Sequence, residues 1–108
     1  MVITLVDRTP GVSDEIRARV PEKLERLYRH DHHLERAEVR FSEERNPRIS
    51  ERDRCDVMME GHGLVIRAHA CGPEAGVALD RVIDKLIHAL ERVERPYDKA
   101  RRRLSFSI

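Results

Sequence analysis

The chain of 108 residues is the length of one domain. Charged side chains make up 38% yet balance to a net +1, aromatics are only 4% and Trp is absent, so the core must come from Val, Ile, Leu, Met and Ala, and an indiscriminate polyanion binder is excluded. There is no apolar run long enough to span a bilayer, no charged-then-apolar leader, and only two cysteines, Cys55 and Cys71; a cytoplasmic protein with reduced thiols is expected.

Val2 to Val6 (VITLV) is short, apolar and β-branched and predicts a strand, followed by a turn-rich connection from Asp7 to Val12. Ser13 has the chemistry of an N-cap, with Asp14 and Glu15 where acids suit the positive end of a helix dipole. Ile16, Val20, Leu24, Leu27 and Tyr28 then recur at helical spacing toward an end near His30. Pro21 conflicts with that helix: in an interior it removes a hydrogen bond and costs roughly 3 kcal/mol, so a kink or a late start is expected.

Ala37, Val39 and Phe41 alternate with Glu38, Arg40 and Ser42, the period of a half-buried strand. Glu43 to Asp53 is polar, contains Asn46-Pro47, and reads as a loop. Cys55, Val57 and Met59 repeat the alternation, Gly61-His62-Gly63 marks a hairpin in which the glycines are expected to supply positive φ, and Leu64, Ile66, Ala68 and Ala70 form the returning strand. Gly72, Pro73 and Glu74 start a second helix. Its core stripe is Val82, Leu86, Ala89 or Leu90, and Val93; Pro96 ends or kinks it, and the basic run Lys99, Arg101, Arg102, Arg103 follows.

These elements predict an α+β fold of order β-α-β-β-β-α: a four-stranded sheet with two helices packed on one face. The outward face would then show Arg40, Arg54, Arg67 and His69 among Glu38, Asp56 and Glu60. Charge is unevenly spread: residues 1–60 carry 12 basic and 14 acidic side chains, residues 61–108 carry 9 and 6. The second helix therefore packs on one side and presents Arg81, Lys85, His88, Arg92 and Arg95 on the others, a plausible grip for a phosphate backbone; solvated charges of an ordinary surface helix explain the pattern equally well.

Enzyme signatures are missing: there is no Gly-rich phosphate loop, serine elbow, HExxH or CxxC. The cluster Arg29-His30-Asp31-His32-His33 has metal-ligating chemistry but no second ligand pair at a recognisable spacing, and a polar helix end accounts for it. Cys71 precedes a helix N-terminus, a place that lowers thiol pKa, but no base or oxyanion hole accompanies it. No cofactor, metal or small-molecule substrate is expected.

The order of elements, together with SDEIRARVPEKLERL in the first helix and ALDRVIDKLIHAL in the second, resembles the ribosome hibernation promoting factor family, which includes the ribosome-associated translation inhibitors. The resemblance covers roughly residues 1–95 and is strongest from Ala78 to Leu86. It implies a non-catalytic domain that docks on the small ribosomal subunit and its rRNA, in the channel used by mRNA and tRNA, inhibiting translation and protecting idle ribosomes. It assigns rRNA contacts to Lys85 and Arg92, to His88 where the family often has Arg or Lys, and to Lys23 in the first helix. Arg17, Arg26, Arg95, Lys99 and Arg101 join them on charge pattern alone. Departures from the family pattern are Gly76 where an aromatic is common, Ala70-Cys71-Gly72-Pro73 in place of charged residues, Ile87 where Glu is frequent, and Pro21.

The resulting expectation is a ribosome-binding domain over residues 1–96 and a basic tail or linker start over 97–108, monomeric or weakly dimeric. The other reading is a protein-interaction module that uses the exposed sheet face, where Met58 and Val65 would suit a partner.

Overall fold

A computed structural model describes residues 1–7 and 12–92. The elements are β1 (Val2–Asp7), α1 (Asp14–His30), β2 (Arg36–Glu43), β3 (Asp53–Gly61), β4 (Leu64–Gly72) and α2 (Ala75–Arg92). The strands form one sheet in chain order: β1 lies parallel to β2, and β2–β3 and β3–β4 are antiparallel. The expected α+β order is the observed one.

The alternation read from the sequence becomes two faces. Ala37, Val39, Phe41, Cys55, Val57, Met59, Ile66 and Ala70 turn inward onto Val20, Leu24 and Leu27 of α1 and Ala78, Leu79, Val82, Ile83 and Leu86 of α2. Phe41 is the largest fully buried side chain in a core that is otherwise mainly aliphatic. Ala89 and Leu90 are half-buried, while Val93 lies outside the described residues. Tyr28 departs from its expected place in the core stripe: it is 37% exposed, with its ring centroid 5.2 Å from that of His32.

Ser13 caps α1 as its chemistry requires, its Oγ accepting from the Ile16 N–H at 3.2 Å and its carbonyl from the Arg17 N–H at 3.0 Å. The helix begins at Asp14, so the late start is corrected, and Pro21 sits inside a continuous helical run. Pro21 is exposed. The Arg17 carbonyl that it leaves without a helical donor lies on the exposed side of the helix, so the proline does not bury an unsatisfied acceptor. Asp31 closes the helix through its N–H to the Leu27 carbonyl at 3.1 Å.

The β3–β4 hairpin also differs from expectation. Its positive-φ pair is His62 (φ 48°) and Gly63 (φ 80°), the signature of a type I′ turn. Gly61 is needed for another reason. A Cβ there would stand 2.0 Å from the His33 carbonyl oxygen and 2.8 Å from the Glu35 nitrogen, so only a bare backbone fits against the segment entering β2. Gly72 is equally constrained, 2.8 Å from the Ala78 nitrogen in the same construction, which lets the end of β4 close onto the start of α2.

Gly76 faces Ile16 and Arg19, and Asp80 meets Lys23, so α1 and α2 run in the same direction across the sheet. No helix among the described residues is long and apolar enough to cross a membrane.

Candidate nucleic-acid interface

α2 buries Ala78, Leu79, Val82, Ile83 and Leu86, which leaves roughly half its circumference to solvent. Charge divides that half into two stripes. Asp80, Asp84 and Glu91 recur on the side toward α1, where Asp80 accepts an ion pair from Lys23 at 2.9 Å. Arg81, Lys85, His88 and Arg92 follow one another at steps of four, three and four residues, which keeps all four on one line down the helix. This basic line faces the β4 edge: Lys85 donates to the His69 carbonyl at 2.8 Å and Arg81 to the Cys71 carbonyl at 2.9 Å. Arg81 also pairs with Glu51.

The expected contact residues thus separate. Lys85, His88 and Arg92 are brought together and exposed. His88 has Glu91 at 3.8 Å, and Arg92 has no ion pair among the described residues. Lys23 is not part of this line; it lies half-buried against the acidic side of α2. Arg17 stands apart, bound to Asp7 at 2.6 Å, and Arg26 is exposed on α1 with no ion pair among the described residues. Arg95, Lys99 and Arg101 lie outside the described residues. The residue that the sequence reading left out of its site is Arg81, although its spacing to Lys85 already placed it on the same line.

Across the β4 edge, on the outward sheet face, Arg67 and His69 are exposed, and Arg67 has no ion pair among the described residues. Both line a shallow depression of about 1080 Å³ on that face, together with Arg40, Arg54, Glu44, Asp56, Met58 and neighbouring side chains. Its cations are mostly neutralised in place. Arg40 pairs with Glu38 at 2.8 Å, Arg52 with Glu43 at 3.5 Å, and Arg54 makes two 3.0 Å bonds to Asp56 and one of 3.3 Å to Glu44. The Arg54 guanidinium is held more firmly protonated by its bonds to Asp56, and the Glu44 carboxyl is held below the usual carboxylate range, chiefly by the Asn46 backbone N–H.

Cys71 Sγ lies 3.7 Å from that carboxylate. Burial first, and then Glu44, raise the thiol pKa, so the helix N-terminus does not activate Cys71. The Cys55 thiol is pushed up to about 12 by burial among core side chains. Beyond the end of α1, His33 stacks near His62 with centroids 4.9 Å apart, each beside a carboxylate: Asp31 at 3.3 Å and Glu35 at 3.1 Å. No group of three or more metal-ligating side chains gathers among the described residues.

A four-stranded mixed sheet backed by two parallel helices, one of them carrying a cationic line beside a sheet edge, defines a small α+β domain with a basic rim. The family model described as "Sigma 54 modulation protein / S30EA ribosomal protein" matches residues 3–96, and the chain belongs to that family. It is 32% identical over 91 residues to the ribosome hibernation promotion factor of Mycobacterium tuberculosis, an alignment that takes in 83% of this chain and 42% of that protein. The chain therefore spans about two fifths of the relative's length. The N-terminal domain of Thermus thermophilus Protein Y superposes with a TM-score of 0.70 at 28% identity, covering 85% of this chain and 98% of that one. A ribosomal subunit interface protein from Coxiella burnetii shares the fold, with a TM-score of 0.72 at 18% identity over 85% and 96% of the two chains.

Proposed function

We propose that this chain is a non-catalytic ribosome-binding domain that occupies the mRNA and tRNA channel of the small subunit, inhibiting translation and protecting idle ribosomes in the cytoplasm. Residues 1–96 form the binding domain, and residues 97–108 add a basic extension. The observation that carries this reading is the line Arg81, Lys85, His88, Arg92, which lies within the segment shared with the family and whose cations are set apart from the acids of the same helix. Such a line matches a run of phosphates, and rRNA is the polyanion that a hibernation factor meets. The names of the Mycobacterium relative and the Coxiella neighbour support the ribosome as partner.

Co-sedimentation with ribosomes and with separated subunits over a salt series tests this. Binding to the small subunit that weakens steeply with salt is the expected result. Inhibition of translation should saturate near one chain per ribosome and reverse on dilution; inhibition at far lower ratios would mean turnover and refute steric occupancy.

The sheet face favours a second reading as a protein-docking surface. Arg40, Arg52 and Arg54 are already paired with acids, so the face presents a mixed-charge surface around Met58 better matched to a protein than to a phosphate chain. Affinity nearly independent of salt would support that reading over the first.

A further inference from the structure

The two edges of the sheet are treated differently. At β4, Arg81 and Lys85 donate to the carbonyls of Cys71 and His69, capping part of the edge with charged side chains. At β1, residues Val2 to Val6 contain no charge, no proline and no bulge, and among the described residues the strand pairs only with β2. Val2 is 66% exposed, and Ile3 and Leu5, although packed on the core, are only half-buried. An open, uncharged, β-branched edge is a template for another strand.

The sequence of that edge selects its partner. V-I-T-L-V reads nearly the same in both directions about Thr4. Antiparallel pairing of two copies about Thr4 would set Val2 opposite Val6, Ile3 opposite Leu5, and Thr4 opposite itself. The backbone agrees with this register. The Val2 N–H bonds to the Glu35 carbonyl at 2.8 Å, so in the parallel ladder Val2, Thr4 and Val6 turn their backbone groups toward β2. Ile3 and Leu5 turn theirs to the open side. A twofold axis at Thr4 then makes Ile3 and Leu5 the hydrogen-bonded pairs and Thr4 the close, non-bonded pair, with Cα atoms about 4.5 Å apart. Thr4 points to the outward face, where two threonines meet favourably, and Ile3 and Leu5 of each copy cover those of the other on the helix side.

We propose that the β1 edge is a self-association surface for a second copy of this chain, two four-stranded sheets joining into one of eight strands about an axis through Thr4. The contact is a single strand pair, below the area of about 1,200 Å² typical of stable complexes, so the dimer is weak and concentration-dependent.

Sedimentation equilibrium on the full chain from about 10 μM to 1 mM should show the 12.6 kDa species passing reversibly toward twice that mass. Over the same range the amides of Ile3 and Leu5 should gain exchange protection while that of Thr4 stays constant. Thr4→Lys sets like charges face to face and should weaken association by about tenfold or more, and Thr4→Glu should do the same. An equimolar mixture of the two should restore it, which only a register centred on this residue allows. Thr4 is exposed, so both variants should keep the circular dichroism of the parent; Thr4→Val, a still milder change, should tighten association. A monomer up to 1 mM would overturn the proposal, as would a Thr4→Lys protein that associates like the parent. Loss of association on deleting Leu104 to Ile108 while Thr4→Lys has no effect would assign the edge to that segment instead.

Discussion

Replacing Arg81, Lys85 and Arg92 together by Gln tests the basic line of α2 with a calculable outcome. Each cation that neutralises a phosphate contributes about 0.7–0.9 to the slope of log affinity against log salt. Removing three should flatten that slope by about 2–3. Between 50 and 200 mM salt, the variant's affinity should therefore fall roughly 20–40-fold less than the parent's. The structural cost is small. All three side chains are exposed. The two that touch the fold do so through single bonds to the carbonyls of Cys71 and His69 and, for Arg81, an exposed pair with Glu51. These are worth about 1–2 kcal/mol together. Ribosome co-sedimentation at four or more salt concentrations, with a thermal melt on the same samples, separates the two effects. A folded triple variant whose slope matches the parent's would refute the assignment of phosphate contacts to this line.

Two glycines should respond oppositely to alanine. Gly61→Ala drives a Cβ into the backbone of His33 and Glu35 and should cost about 2–3 kcal/mol, whereas Gly76→Ala finds neighbours no closer than 3.8 Å and should gain about 0.5–1 kcal/mol; urea melts of both decide. Cys71 should alkylate slowly at pH 7–8 because burial and Glu44 disfavour its thiolate, and Glu44→Gln should speed it; a parent Cys71 faster than an unstructured cysteine peptide would contradict the assignment. The Glu44 carboxyl is depressed in the folded state, so its contribution is present above the unfolded carboxylate pKa and is lost as pH falls through the folded value; the Asn46 amide shift should titrate with a midpoint below that of a glutamate in an unstructured peptide.

The strands and helices were legible because each carries its own period. Ala37-Val39-Phe41 and Cys55-Val57-Met59 alternate strictly, and Ser13 marks the start of α1 with local chemistry alone. What escaped the sequence depends on contacts between distant residues. The three residues of the hairpin gave no sign that Gly61 is required by His33 and Glu35, 28 and 26 positions earlier, rather than by φ. Tyr28 continues the apolar spacing of α1, yet it falls at the helix end past the sheet's cover and stays exposed. The same limit applied to the site. Lys23 reads as a free basic residue until Asp80 is seen across the helix pair, and Arg81 reads as one charge among many until its line with Lys85 borders β4. Cys71 follows the dipole rule only until burial and the Glu44 carboxylate, which comes from the loop after β2, outweigh it.

The cations of α2 do two kinds of work, and the geometry separates them. Lys85 and Arg81 hold β4 carbonyls, so a phosphate approaching either must share the donor with the sheet edge. Lys85 keeps two N–H groups and Arg81 its remaining fork for such a ligand. Among the described residues Arg92 has neither a sheet contact nor an ion pair, so it does not share its donors with the β4 edge as Lys85 and Arg81 do. Single substitutions should therefore differ in kind. Arg92→Gln should lower ribosome affinity and the salt slope by about one without moving the melting temperature. Lys85→Gln should do the same and also loosen the β4 edge, read as faster exchange of the β4 amides that face solvent. If Arg92→Gln destabilises the fold while leaving binding intact, the division is wrong, and the line is a closure for β4 rather than a grip on RNA.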